Sequence, residues 1–237
     1  MMSTLRVSAR YCAKSVLRPL VYRHPPIGLQ PQRLHVWTDA LIRTVDVPGA
    51  VLEIGCAAGG TAAWSDRLLR EIGALKRYIC IDTFGGFVPE QFAADEARGT
   101  PKRYRHTFAA NSPSLVRRTV TGLGSPDIEL IVGDIAKLSP DYLPSKVSAC
   151  LIDVDLADPV AAALDRVYPL LAPGGTIVVD DCEGRSEGWR ARDAYRGFVG
   201  SRDLPEVYRF GMGLIDKELD TRERESSERL LRILNGT

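Results

Sequence analysis

Carboxylates and glycines are the residues of this sequence best suited to chemistry, and their spacing is ordered. Asp153 ends the apolar run Val147-Ser148-Ala149-Cys150-Leu151-Ile152, and Asp180-Asp181 follow Thr176-Ile177-Val178-Val179. If those runs are neighbouring parallel strands, three carboxylates meet at one sheet edge. Carboxylates crowded in this way repel one another and need a compensating charge. A hard divalent cation with oxygen ligands, Mg2+ by preference, answers that need, which makes Asp153, Asp180 and Asp181 candidate metal ligands. Such a metal could bind a substrate hydroxyl and stabilise its alkoxide as the proton leaves. The plainer alternative assigns Asp155 and Asp158 to a helix N-cap and Asp180-Asp181 to a loop cap.

The second chemical feature is Val51-Leu52-Glu53-Ile54-Gly55-Cys56-Ala57-Ala58-Gly59-Gly60-Thr61. Glycines there permit a tight turn and close approach of a ligand to the backbone. A dinucleotide site would show G-x-G-x-x-G and hold a pyrophosphate at the helix N-terminus. This loop is G-x-x-x-G-G, and Glu53 precedes its first glycine. A carboxylate beside the loop suits a cationic, phosphate-free ligand, and S-adenosylmethionine, with its amino group and sulfonium, fits. NAD(P) and a merely structural loop are the alternatives. The candidate donor contacts are Glu53, Gly55, Cys56, Ala57, Gly59 and Gly60. Asp82 closes the next strand, where an acid can accept hydrogen bonds from ribose hydroxyls of either ligand. Gly133-Asp134-Ile135 is placed to meet an adenine, although Asp134 could equally begin a turn.

These residues need a scaffold, and the pattern supplies one. Helices are expected at Leu34 to Val45, Thr61 to Ile72, Pro113 to Thr121, Pro159 to Leu171 and about Gly188 to Phe198. Strands are expected at Ala50–Ile54, Tyr78–Ile81, Ile128–Val132, Val147–Ile152 and Thr176–Val179, with late strands at Val207–Phe210 and Gly213–Ile215. Short apolar strands alternating with amphipathic helices give an α/β, Rossmann-like sheet, mostly parallel with an antiparallel late strand and helices on both faces. Ligands bind outside the carboxyl ends of such strands. Glu53, Asp82, Asp134, Asp153, Asp180 and Asp181 all fall in or just beyond strand ends. Turn preference accounts for one or two acids there, but not for so many at one edge.

Composition narrows the partners. The chain has 237 residues, a hydrophobic fraction of 45% and a formal net charge of +1, which argues against broad nucleic-acid binding. No apolar run approaches the roughly 20 residues that span a bilayer. Five scattered cysteines without a C-x-x-C pair suit a reduced compartment, so the expected location is the cytoplasm. Met1 to Thr38 contains no Asp or Glu. It carries an apolar stripe (Leu5, Ala9, Cys12, Val16, Leu20) beside a basic one (Arg6, Arg10, Lys14, Arg18). That arm, residues 1–33, reads as a packed helix, a peripheral membrane contact or a transit peptide. A catalytic domain follows at 34–216. A charged tail at 217–237 reads as a helix and a homo-oligomer contact.

The motifs resemble the macrocin O-methyltransferase family of class I, metal-dependent methyltransferases. The matching stretches are Val47-Pro48-Gly49 with the glycine loop, Asp82-Thr83-Phe84-Gly85-Gly86-Phe87, Asp153-Val154-Asp155-Leu156, Tyr168 to Gly175, Val179-Asp180-Asp181, and Trp189 to Arg196. The resemblance covers about Leu34 to Ile215. It implies S-adenosylmethionine as donor and extends the donor contacts to Thr83, Phe84 and Asp153. It also implies Mg2+ on Asp153, Asp180 and Asp181, and Asp153 as catalytic base. The implied acceptor is a hydroxyl of a small molecule, a sugar or polyol moiety of a glycoside, glycolipid or polyketide. Two departures stand near the ligand sites: Ala57-Ala58 replace the family's Trp-Arg, and Ala157 and Asp158 replace its Tyr and Glu. The polar segment 84–112 is the expected acceptor lid. Its Lys102, Arg103, Arg105 and His106 form either a solvated loop or acceptor contacts, with His106 as an alternative base. A catechol-type O-methyltransferase, an NAD(P)-binding oxidoreductase and a non-catalytic donor-binding module are the competing readings.

Overall fold

The computed structural model of the protein describes residues 25–183 and 188–218. The two N-terminal stripes and the tail helix expected at Leu230–Leu234 lie outside the described residues. Helix α1 (Pro31–Arg43) leads into β1 (Ala50–Ile54), α2 (Gly60–Glu71) and β2 (Tyr78–Asp82). Then come α3 (Pro89–Ala97), α4 (Pro113–Leu123), β3 (Glu129–Val132) and β4 (Val147–Ile152). The chain continues through α5 (Ala157–Val167), β5 (Leu171–Val179), α6 (Ala191–Gly200), β6 (Val207–Arg209) and β7 (Met212–Asp216).

Seven strands form one sheet in the order β3-β2-β1-β4-β5-β7-β6. The first five in sequence are parallel, whereas β7 runs antiparallel to β5 and β6 antiparallel to β7. Strands β1 and β4 are buried along their whole length, which is why they read as unbroken apolar runs instead of alternating ones. One face is covered by α1, α2 and α4 through Val36, Trp37, Leu41, Leu69, Val116 and Val120. The other is covered by α5 and α6 through Val160, Leu164, Val167, Tyr195 and Phe198. Strand order reverses between β1 and β4, and that switch point is where such sheets hold ligands.

Ladder hydrogen bonds continue past the strand ends. Gly55 N–H donates to the Ile81 carbonyl and Asp153 N–H to the Ile54 carbonyl, each at 2.8 Å. Asp180 N–H donates to the Ile152 carbonyl and Gly133 N–H to the Asp82 carbonyl, each at 2.9 Å. The acids beyond the strands are therefore placed by the sheet itself.

The structure differs from the sequence reading in three elements. The strand expected at Thr176–Val179 starts earlier, at Leu171, so that Pro173-Gly174-Gly175 lies inside β5, where the register against β4 shifts. The segment read as an irregular lid contains α3, opened by Pro89 in its first turn. The expected boundary after residue 33 falls inside α1. Cys56, Cys80, Cys150 and Cys182 are free and buried, where a cysteine packs as a small apolar residue. Among the described residues no helix is long and apolar enough to cross a membrane.

Candidate active site

A cavity of about 640 Å³ opens at the switch point, and both groups of predicted residues line it. At one end lies the glycine loop, folded through positive φ at Gly55 (85°), Ala57 (42°) and Gly59 (74°). Asp82 pins it: Oδ2 accepts the Cys56 and Ala57 N–H groups, each at 2.9 Å, and Oδ1 accepts Phe84 N–H at 2.7 Å. Sequence reasoning assigned Asp82 to ligand hydroxyls alone; here the carboxylate first orders the loop. Burial pushes its pKa up, and the three amides oppose that shift. Asn111 Nδ2 donates to the Ala57 carbonyl from the opposite side. Across the cavity Asp134 receives Gln91 Nε2 at 2.9 Å and the Ala136 N–H at 2.9 Å, so it both starts a turn and faces the site.

Glu53 lies beneath the loop and accepts the Tyr78 hydroxyl at 2.6 Å. Burial pushes its carboxyl up to about 8, against the opposing effect of the Tyr78 bond. A carboxyl raised above its unfolded value contributes stability at low pH and loses it as pH climbs toward the folded pKa. Glu53→Gln keeps an acceptor for Tyr78 without the buried charge. Thermal melts should therefore show wild type and variant close together at pH 4.5, with the variant gaining from there to about pH 8 and staying ahead above it. A constant difference across that range would show that Glu53 ionises in the folded protein near its ordinary value and is not raised by burial.

At the other end stand the acids of β4 and β5. Oxygens of Asp153, Asp155 and Asp181 lie within 4.8 Å of one another. Asp155 (φ 61°) and Asp181 (φ 56°) both hold left-handed backbone, a conformation Asp tolerates better than most residues. Asp153 and Asp155 are pushed well up, first by burial and then by the neighbouring carboxylates; burial and Asp181 raise Asp180 to about 6. Arg33, from the first turn of α1, reaches into this group. Its Nη1 lies 2.8 Å from Asp181 Oδ1 and 2.9 Å from Asp180 Oδ1, and its Nη2 lies 3.1 Å from Glu183. Burial works against the guanidinium charge, but these carboxylates outweigh it and raise the pKa further.

The sequence-derived set of Asp153, Asp180 and Asp181 thus shares two members with the geometric set of Asp153, Asp155 and Asp181. Asp155 does not cap α5; the N–H of Ala157 is taken by buried Asp95 of α3, at 2.9 Å. Of the other named residues, Gly55, Cys56, Ala57, Gly60, Thr83 and Ile135 line the cavity. Gly59 and Phe84 do not: Gly59 packs on Val116 and Val120, and Phe84 is buried in the core. His106 is exposed and outside the cavity lining. The lid contributes Phe87 and Phe108, whose rings meet edge to face at 5.4 Å, and Trp189 joins Phe87 at 5.6 Å. Sequence reasoning missed Arg33, whose charge was absorbed into a basic arm, and the meeting of Phe87 with Phe108 and Trp189 in one aromatic cluster.

Known proteins match this chain in family and in fold. The family model for macrocin-O-methyltransferase (TylF) matches residues 27–206. A 4'-O-methyltransferase of 8-demethyl-8-(2,3-dimethoxy-alpha-L-rhamnosyl)-tetracenomycin C from Streptomyces olivaceus is 28% identical over 165 residues. That match covers 66% of this chain and only 61% of the relative's length. Among solved structures, the O-methyltransferase NovP superposes with a TM-score of 0.69 at 18% identity, over 91% of this chain and 99% of that one. The calicheamicin methyltransferase CalS11 gives a TM-score of 0.61 at 22% identity, over 90% and 91%. At those identities the two structures speak for the fold, the Rossmann-like sheet of O-methyltransferases. With its family model spanning most of its length, the chain belongs to the macrocin-O-methyltransferase family.

Proposed function

We propose that this O-methyltransferase moves the methyl group of S-adenosylmethionine to a hydroxyl on the sugar or polyol part of a small molecule, with a divalent cation, Mg2+ by preference, at its acid cluster. The observation that carries this reading is the single cavity joining the glycine loop, Asp82 and Asp134 to Asp153, Asp155 and Asp181. In this reading the glycine loop takes the donor's amino acid part, Asp82 its ribose, and Asp134 with Ile135 its adenine. Family membership and the rhamnosyl substrate named for the Streptomyces relative support a glycoside acceptor.

The residues present fit a metal. Three carboxylate ligands, from Asp153, Asp155 and Asp181, converge within 4.8 Å of one another. Asp153, Asp155 and Asp181 would hold the ion, with Asp180 beside them. When bound, such an ion supplies Lewis-acid stabilisation of an alkoxide. Asp153 accepts the proton of the acceptor hydroxyl as its oxygen attacks the methyl carbon. The carbon–sulfur bond breaks with its electrons on sulfur, and S-adenosylhomocysteine remains. The lid at 84–112 covers the acceptor and excludes water.

Treatment with EDTA should lower turnover by about a hundredfold or more while donor affinity stays within about threefold, and Mg2+ should restore the rate. Unchanged turnover in metal-free buffer would remove the metal from the mechanism. Phe87 and Phe108 on the cavity wall favour a second reading, an aromatic vicinal diol as acceptor. Comparing rhamnosylated aromatic polyketides with catechols as acceptors separates the two.

A further inference from the structure

Gln91 and Asp134 meet on the cavity wall, one residue beyond the bond from Gly133 N–H to the Asp82 carbonyl. Gln91 Nε2 donates to Asp134 Oδ2, and Asp134 Oδ1 accepts the Ala136 N–H, each at 2.9 Å. A carboxylate has no hydrogen to give, so the amide turns its nitrogen toward Asp134 and keeps its carbonyl oxygen for another partner. Among the described residues nothing donates to that oxygen. Asp134, with one bond to each oxygen, also keeps lone pairs for a further donor. The pair therefore leaves acceptor oxygens of two residues open at one place. Neither residue is loosely held. Gln91 rides on α3, where the neighbouring Phe92 is fully buried and Asp95, one turn on, accepts the Ala157 N–H at the start of α5. Residues four apart share a helix face, so one side of α3 grips Asp134 at one point and α5 at the other.

We propose that Gln91 is a specificity-determining residue that, with Asp134, selects adenine over hypoxanthine in the donor by gripping the exocyclic amine. This rests on the donor reading above, which puts the adenine at Asp134 and Ile135. An amine at the purine C6 brings two N–H donors, one for Asp134 and one for the Gln91 carbonyl oxygen. Hypoxanthine carries a carbonyl oxygen at that carbon and sets it against two acceptors, which then stay unpaired. Sites built to bond an N–H reject analogues that lack it for this reason. Because α3 is also part of the lid, the same contact joins recognition of the donor to the segment that covers the acceptor.

Calorimetry with S-adenosylhomocysteine and with S-inosylhomocysteine, which differ only in the purine, tests this directly. Wild type should bind the adenosyl compound about a hundredfold or more tightly than the inosyl one. Gln91→Met keeps the length of the side chain and removes its polar atoms. It should bind the adenosyl compound about tenfold more weakly than wild type and the inosyl compound within about twofold of it. The ratio of the two affinities should therefore fall by about tenfold. Gln91→Ala should show the same fall, and it decides the matter if the methionine variant does not fold. An equal loss of affinity for both compounds would mean that Gln91 merely props the wall, and would overturn the proposal. An unchanged ratio, or a wild-type ratio below about tenfold, would overturn it as well. A wild type that binds neither compound would instead defeat the donor reading itself, and this inference with it.

Discussion

Asp153→Asn should lower kcat by about a thousandfold while changing donor affinity by no more than about threefold. Asparagine has the shape of aspartate and leaves the backbone bond from residue 153 to the Ile54 carbonyl intact. What it loses is the negative charge and the ability to take a proton. Asp153 is one of the three carboxylates that converge on one another, so under the proposed mechanism the variant loses both a base and a metal ligand. The donor loop is held by other groups: Asp82 on the Cys56 and Ala57 amides, and the Ile81 carbonyl on Gly55. Rapid-quench methyl transfer on a rhamnosylated polyketide, alongside calorimetry with S-adenosylmethionine, would measure both quantities. A kcat above about one tenth of wild type would take proton removal away from Asp153.

Gly55→Ala should be the most damaging single methyl group in the site. A Cβ at Gly55 would lie 1.9 Å from the Asp153 carbonyl oxygen, at a φ of +85° where L-residues are strained. Neither partner can give way, because the amides of both residues are tied to the sheet. The left-handed backbone costs about 1–2 kcal/mol and the overlap about as much again or more. A total near 3 kcal/mol corresponds to a fall in Tm of roughly 10 °C for a chain of this size. Whatever relief the overlap finds separates Asp153 from the glycine loop, so activity should fall by more than the folded fraction does. A Tm within about 2 °C of wild type would show that the loop relaxes where the geometry says it cannot.

The sequence announces what repeats or runs locally. Apolar stretches such as Val147–Ile152 are visible because strands buried on both faces need no alternation. The acids beyond them stand out because an α/β sheet binds ligands at that edge, and Glu53, Asp82, Asp134, Asp153, Asp180 and Asp181 all fall there. What stayed hidden depends on tertiary placement. Arg33 looks like one more cation of a basic arm, and nothing near it in sequence tells that its partners are Asp180 and Asp181. Asp155 passes for a cap residue until its positive φ turns it inward and Asp95 is seen to take the cap. Helix α3 had a legible start in Val88-Pro89-Glu90, with Pro in the first turn and an acid beside it, but its short and weakly patterned body masked it. Pro173-Gly174-Gly175 carries the composition of a turn, yet the bonds of Gly174 N–H and the Gly175 carbonyl to Lys217 keep it in β5.

The ladder bonds that run beyond β1, β3, β4 and β5 separate what must stay fixed from what is free to diverge. Donor loop and acids hang on the backbone of the sheet, whereas Phe87 and Phe108 sit on a segment between β2 and α4 that lies outside the ladder. Under the proposed function, replacements in that segment, or in the loop around Trp189, reshape the acceptor wall without altering the distance between the glycine loop and the acids. Selection for a new acceptor can therefore proceed by small steps, each tolerated by a reaction centre whose dimensions it does not touch.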